Sequence, residues 1–118
     1  MINREAIIEE FHSMRKEFCH LLEITLYRDF RESEYDCNID IILSDNTFTD
    51  DGKKLYLKFA KVSDYESDRL DSSFWVPSIQ ITDISSRQME GINYLVVDDE
   101  NRSFSFYCSS FSFEIINQ

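Results

Sequence analysis

The chain has 118 residues, 42% of them hydrophobic, with ten Phe, six Tyr and one Trp but only two Gly and one Pro. That length fits one domain, residues 1–118, and the composition excludes a disordered or low-complexity chain. A balance of 12 Lys+Arg against 23 Asp+Glu leaves a net charge of -11, which opposes direct nucleic-acid binding and adhesion to an anionic membrane and favours basic partners or plain solubility.

Residues Asn3 to Phe18 read as a helix, because Ile7, Phe11, Met14 and Phe18 recur at spacings of four, three and four and form one apolar stripe. Asn3 is placed to cap it, with Glu5 in the first turn and Arg15 and Lys16 near the far end, as the helix dipole favours. The period then changes to two. Leu22, Ile24 and Leu26 alternate with polar neighbours and predict a strand, and Arg28 to Asp36 is a charged loop. Cys37, Ile39, Ile41 and Leu43 predict a second strand, and Leu55, Leu57 and Phe59 a third. Between them Ser44 to Lys53 carries turn residues.

Ser63 to Ser73 is the least apolar stretch and reads as an exposed connection. Phe74, Trp75 and Val76 open a new apolar run, which Pro77 confines to an edge or a strand start. Ile79 and Ile81 follow, and then a turn or short helical piece over Ser85 to Glu90. Ile92 to Val97 and Ser103 to Cys108 predict two strands joined through Asp98 to Arg102. Alternation resumes at Phe111, Phe113 and Ile115 with a changed register, which marks a bulge or bend at Ser109–Ser110. The expected fold class is α+β: one N-terminal helix packed on a mostly antiparallel sheet of about six strands, with short connections that favour a meander.

Catalytic signatures are missing. No nucleophile elbow, P-loop, dinucleotide fingerprint or zinc-protease motif occurs, and Gly52 and Gly91 alone cannot build a phosphate loop. His12, Cys19, His20, Cys37 and Cys108 are possible soft ligands, but their spacing matches no standard zinc pattern, and Cys37 and Cys108 fall on core faces. Asp45 to Gly52 lacks the order of a calcium loop. No cofactor or metal is therefore expected, and the chain reads as a binding protein and not as an enzyme. Met1 to Glu10 is charged and lacks the apolar core of a secretory signal, no run approaches the about 18 apolar residues of a membrane span, and three cysteines without C-x-x-C fit a reducing cytoplasm.

Three acidic clusters fall on the expected connections: Asp45, Asp50 and Asp51; Asp64, Glu66, Asp68 and Asp71; and Asp98, Asp99 and Glu100. Charged residues belong on solvated turns, and that is the plain reading of each. The second cluster also has Tyr65 within it and Phe74 and Trp75 after it, and rings beside charges are what protein interfaces use to anchor and steer. After Lys61 only Arg69, Arg87 and Arg102 oppose ten acidic residues. The expected docking surface is therefore Asp64, Tyr65, Glu66, Asp68, Asp71, Trp75, Asp98, Asp99 and Glu100.

The layout of a helix over Arg4 to Phe18, an acidic aromatic-rich β region, and Trp75-Val76-Pro77-Ser78-Ile79-Gln80-Ile81 leading to a Phe-rich end at Phe104 to Phe113 resembles the immunity proteins of bacterial polymorphic and contact-dependent toxin systems. The resemblance implies a cytoplasmic protein that binds one cognate toxin domain, often a basic nuclease, and blocks its active site or substrate approach. It carries over no individual residue. The alternative is a small-ligand-binding or regulatory module with an apolar pocket lined by the Phe-rich strands. A self-associating subunit that uses the Trp75 region is a third possibility.

Overall fold

A computed structural model describes residues 4–18, 20–29, 36–45, 53–67, 78–87, 91–98 and 104–116. The order is α1 (Arg4–Met14), a 3-10 turn (Arg15–Glu17), β1 (His20–Asp29), β2 (Asp36–Ser44), β3 (Lys54–Ala60), β4 (Ser63–Ser67), β5 (Ile79–Asp83), a second 3-10 turn (Ser85–Arg87), β6 (Tyr94–Asp98), β7 (Phe104–Cys108) and β8 (Ser110–Ile116). The class is α+β, as the patterning predicts. The expected helix ends four residues early as α-helix, at Met14, and tightens into the 3-10 turn before Phe18. The expected capping residue, Asn3, lies outside the described residues.

The single six-stranded meander is corrected: the described residues form eight strands in two antiparallel sheets, ordered β1-β2-β3-β8 and β4-β7-β6-β5. Two places account for the difference. The polar stretch expected as a connection begins with β4, which pairs with β7. The bend expected at Ser109–Ser110 is where the chain leaves β7 in the second sheet and enters β8 in the first.

Those two places form one corner. Ala60 pairs with Ser110 and, three residues further along each strand, Ser63 pairs with Tyr107. The ladder thus keeps its register while both strands turn from one sheet into the other. Ser109 N–H donates to the Ala60 carbonyl at 3.0 Å across the turn. Lys61, with φ of 55°, lies inside the corner, and its N–H donates to Asn38 Oδ1 at 3.2 Å. Val62 N–H donates to the Cys37 carbonyl at 2.7 Å, so β2 also braces the corner. Asp64, with φ of 52°, falls in the register shift between Ser63 and Glu66 that bulges β4.

The inward faces share one core. Across the first sheet the inner rows are Ile24–Ile41–Leu57–Phe113 and Leu26–Ile39–Phe59–Phe111. Leu26, on the edge strand, is 51% exposed, while the rest of these rows meet Ile81–Val96–Phe106 of the second. Phe59 meets Phe106 edge-on at 5.1 Å, and Tyr94 meets Phe111 edge-on at 4.9 Å. Each such ring stabilises the fold by about 1.5–3 kcal/mol through area removed from water. The Phe-rich strands therefore fill the interior with one another.

Helix α1 bridges the two sheets. Phe11 is fully buried and packs on Phe111 and Phe113 of β8 at 6.5 and 5.7 Å. From the adjacent position, His12 Nε2 accepts the Ile81 N–H of β5 at 3.1 Å. Strand β5 is an edge of the second sheet, so the helix both plugs the core and occupies a donor on an otherwise open strand edge.

Candidate functional site

The outer faces of the two sheets differ in charge and in relief. On the second sheet, two rows run straight across all four strands. One is Glu66–Ser105–Val97–Gln80 and the other is Ser63–Tyr107–Leu95–Thr82. Strict alternation produces them: Tyr94, Val96 and Asp98 point inward from β6, which leaves Leu95 and Val97 outside and half-buried. Neither row holds a cation. An open depression of about 570 Å³ lies on this face, lined by Glu66, Gln80, Thr82, Leu95, Val97, Phe104 and Ser105.

The first sheet carries cations on its outer face. Its rows are Thr25–Asp40–Lys58–Ser112 and Glu23–Ile42–Tyr56–Glu114, with Lys54 in the next. Asp40 accepts from the Tyr27 hydroxyl at 3.2 Å and the Tyr56 hydroxyl at 3.0 Å. Donating to that carboxylate, with partial burial adding to the effect, raises the Tyr56 pKa above its usual value. The Lys58 ammonium sits 5.3 Å from the Tyr56 ring centre. Alternation puts these side chains outside, but nothing in the sequence announced that Tyr27, Asp40 and Tyr56 would meet, because the contact depends on cross-strand register.

Of the nine residues expected at the docking surface, four lie among the described residues: Asp64, Tyr65, Glu66 and Asp98. Asp68, Asp71, Trp75, Asp99 and Glu100 lie outside them. Asp64 and Glu66 are exposed on the edge strand β4. Tyr65 is half-buried, with its ring 6.1 Å from that of Phe106, so it flanks the core at the same edge. Asp98 requires a correction. It is the last residue of β6, not part of a connection, and is 0% exposed. One carboxylate oxygen accepts the Ser78 N–H at 3.0 Å where β5 begins. A buried carboxylate needs such donors, so Asp98 fixes the entry to β5 and has no exposed surface.

Topology also draws together the ends of the two acidic segments. Ser67 pairs with Phe104, and Ile79 pairs with Asp98. The chain therefore leaves β4 and β6, and enters β5 and β7, at one end of the second sheet. Segments 68–77 and 99–103 are both tethered there. The first acidic cluster belongs elsewhere: Asp45 closes the β2–β3 hairpin, where Oδ2 accepts the Lys53 N–H at 3.1 Å. Asp50 and Asp51 lie outside the described residues.

The remaining reactive side chains have structural surroundings. Burial pushes the Cys108 thiol up to about 12, so it stays protonated and packs as a small apolar group. Cys37 is half-buried in β2, and Cys19 lies outside the described residues. Asp83 accepts from the Ser85 hydroxyl at 2.7 Å and N–H at 2.9 Å, bonds that lower its pKa. It thereby shapes the turn after β5. Among the described residues no three of His, Cys, Asp and Glu gather as a metal site, and no helix is long and apolar enough to cross a membrane.

A family model described as immunity protein PIM8 matches residues 3–114. No curated protein and no solved structure matches the chain. The family match runs from the start of the helix through most of β8 and so takes in both sheets and the corner that joins them; the chain belongs to the PIM8 family of immunity proteins.

Proposed function

We propose that this immunity protein acts in the cytoplasm as a non-catalytic, stoichiometric inhibitor of a basic toxin domain, and that the toxin is a nuclease. Membership of the family supports the toxin-neutralising role. The basic character of the partner rests on the charge of -11 and on where the acids are tethered. Exposed Asp64 and Glu66 stand on the β4 edge, and segments 68–77 and 99–103, with Asp68, Asp71, Trp75, Asp99 and Glu100, join the same end of that sheet. The exposed carboxylates of Asp64 and Glu66 on the β4 edge are the observation that carries the reading.

The mechanism is occupation of a positive cleft. A nuclease keeps such a cleft for phosphate, and an acidic surface competes for it without chemistry of its own. Long-range attraction brings the partners together, and a few desolvated rings, with Trp75 foremost, hold them.

The cognate toxin domain is identified as the one whose lethality this chain suppresses on co-expression, and it then serves as the binding probe. Changing Asp64, Glu66, Asp68 and Asp71 together to Ser slows association by about tenfold or more and leaves the thermal midpoint within about 3 °C. Full-strength inhibition of the toxin's nuclease activity by that variant would place the contact on another surface. A neutralised toxin that cleaves no nucleic acid would remove the nuclease assignment.

A further inference from the structure

We infer that the outer face of the second sheet is the floor of the toxin contact, where Leu95 and Val97 of β6 receive an apolar side chain and Glu66 receives a neighbouring Lys or Arg, while the outer face of the first sheet is left free. This rests on the reading that the partner is a basic toxin domain.

Three observations converge on that face. First, Leu95 and Val97 lie side by side on a central strand, with Tyr107 opposite Leu95 and Ser105 opposite Val97, so an apolar patch occupies the middle of a concave surface. Desolvated apolar centres with a polar rim are where interfaces concentrate their energy. Gln80, Thr82, Ser105 and Glu66 form that rim. Second, the charge is one-sided. Glu66 is the ionisable carboxylate among the described residues of the two rows, and neither row carries a cation. The first sheet presents Lys54 and Lys58, and the hydroxyls of Tyr27 and Tyr56 already engage its central carboxylate, Asp40. The first sheet also presents Glu23 and Glu114, so its outer face mixes both signs, whereas a basic partner meets a carboxylate and no cation on the rows of the second. Third, exposed Asp64 and Glu66 stand on the β4 edge of this same sheet, so carboxylates that attract a basic partner lie beside this floor.

The test compares two single lysines that change net charge equally. Thr82 and Ser112 are both exposed strand residues, one on each outer face. Thr82→Lys should weaken binding of the cognate toxin domain by about tenfold or more, chiefly through faster dissociation, and Ser112→Lys should stay within about twofold of the parent. The double variant Leu95→Thr, Val97→Thr keeps a strand-compatible side chain at both positions and should also speed dissociation by about tenfold, with an unchanged association rate. Equal or larger weakening by Ser112→Lys would overturn the assignment, as would full-strength binding by both Thr82→Lys and the double variant. The idea also fails if the double variant, without toxin, lowers the thermal midpoint by more than about 5 °C and red-shifts the emission of the single tryptophan, Trp75. In that case the chain's own 68–77 segment covers the floor. The two readings are distinguishable: slowed association in the four-acid variant with no effect of Thr82→Lys and of the double variant keeps the acidic surface and discards the floor, whereas weakening by Thr82→Lys and the double variant with an unaffected four-acid variant keeps the apolar floor and discards both the acidic segment and the role of Glu66.

Discussion

His12 sits where the helix meets an open strand edge. Its Nε2 accepts the Ile81 N–H, so that nitrogen carries a lone pair and the ring is neutral with its proton on Nδ1. Burial first, and the nearby Arg15 charge second, hold its pKa below the usual 6.5. As pH falls through 6.5 the unfolded chain takes up a proton that the folded chain refuses, so His12's contribution to stability is complete above 6.5 and is lost as pH drops toward the lower folded value. His12→Ala should cost about 1–3 kcal/mol at about pH 7.5, because a buried N–H loses its acceptor. Urea denaturation should show the gap between parent and variant narrowing at about pH 5; a constant gap would mean that His12 contributes packing alone. Asp98 makes a comparable case for a carboxylate. Asp98→Ala should cost about 1.5–3 kcal/mol through loss of the charge-assisted bond from Ser78, while the toxin association rate stays at its parent value. A slowed association with unchanged stability would return Asp98 to the docking surface.

Alternating strands were legible in the chain because each keeps one apolar face: Ile39, Ile41 and Leu43 are all buried, as are Leu55, Leu57 and Phe59. The partition into two sheets was not legible, because pairing across it is non-local and period-two patterning looks the same in a flat sheet and a bent one. Strand β4 escaped notice for a further reason. Ser-Asp-Tyr-Glu-Ser offers one apolar side chain in five, as an exposed edge strand can, and its bulge breaks the alternation. The corner leaves a backbone signature that can be tested. Lys61 is exposed and holds a φ of 55°, a region that costs a residue with a Cβ about 1–2 kcal/mol. Lys61→Gly relieves that strain and retains the N–H that Asn38 accepts, so it should raise stability by about 0.5–1 kcal/mol despite the entropy lost on ordering glycine. A lower denaturation midpoint in that variant would show that the corner does not strain its lysine. The helix answers to the opposite kind of change. Phe11→Ala removes the ring that joins α1 to β8 and should cost about 3–5 kcal/mol in the same assay; a cost near that of a surface substitution would mean that the helix is held by its polar contacts.

Across the whole molecule, the acidic excess was visible from composition, but its arrangement was only half visible. Sequence placed the acids between strands without showing that the β4–β5 and β6–β7 segments start from one end of one sheet, since that follows from β4 pairing with β7. Nor could it separate Asp98, drawn inward by the Ser78 N–H, from its acidic neighbours in the chain. The outer-face rows were equally hidden, because cross-strand register, not composition, sets Leu95 beside Tyr107 and keeps the lysines of β3 on the other sheet. If convergent acids capture a basic toxin, the field should act mainly on encounter. Charges about 10 Å apart are largely screened at 0.1 M salt, whereas apolar contacts on a sheet face are not. Raising salt from about 0.05 to 0.5 M should therefore lower the association rate by about 10- to 100-fold while the dissociation rate changes by less than about threefold. The four-acid variant should flatten that salt dependence, whereas Leu95→Thr, Val97→Thr should preserve its slope and raise only dissociation. An association rate indifferent to salt in the parent protein would remove steering from the mechanism and leave the charge of -11 as a determinant of solubility alone.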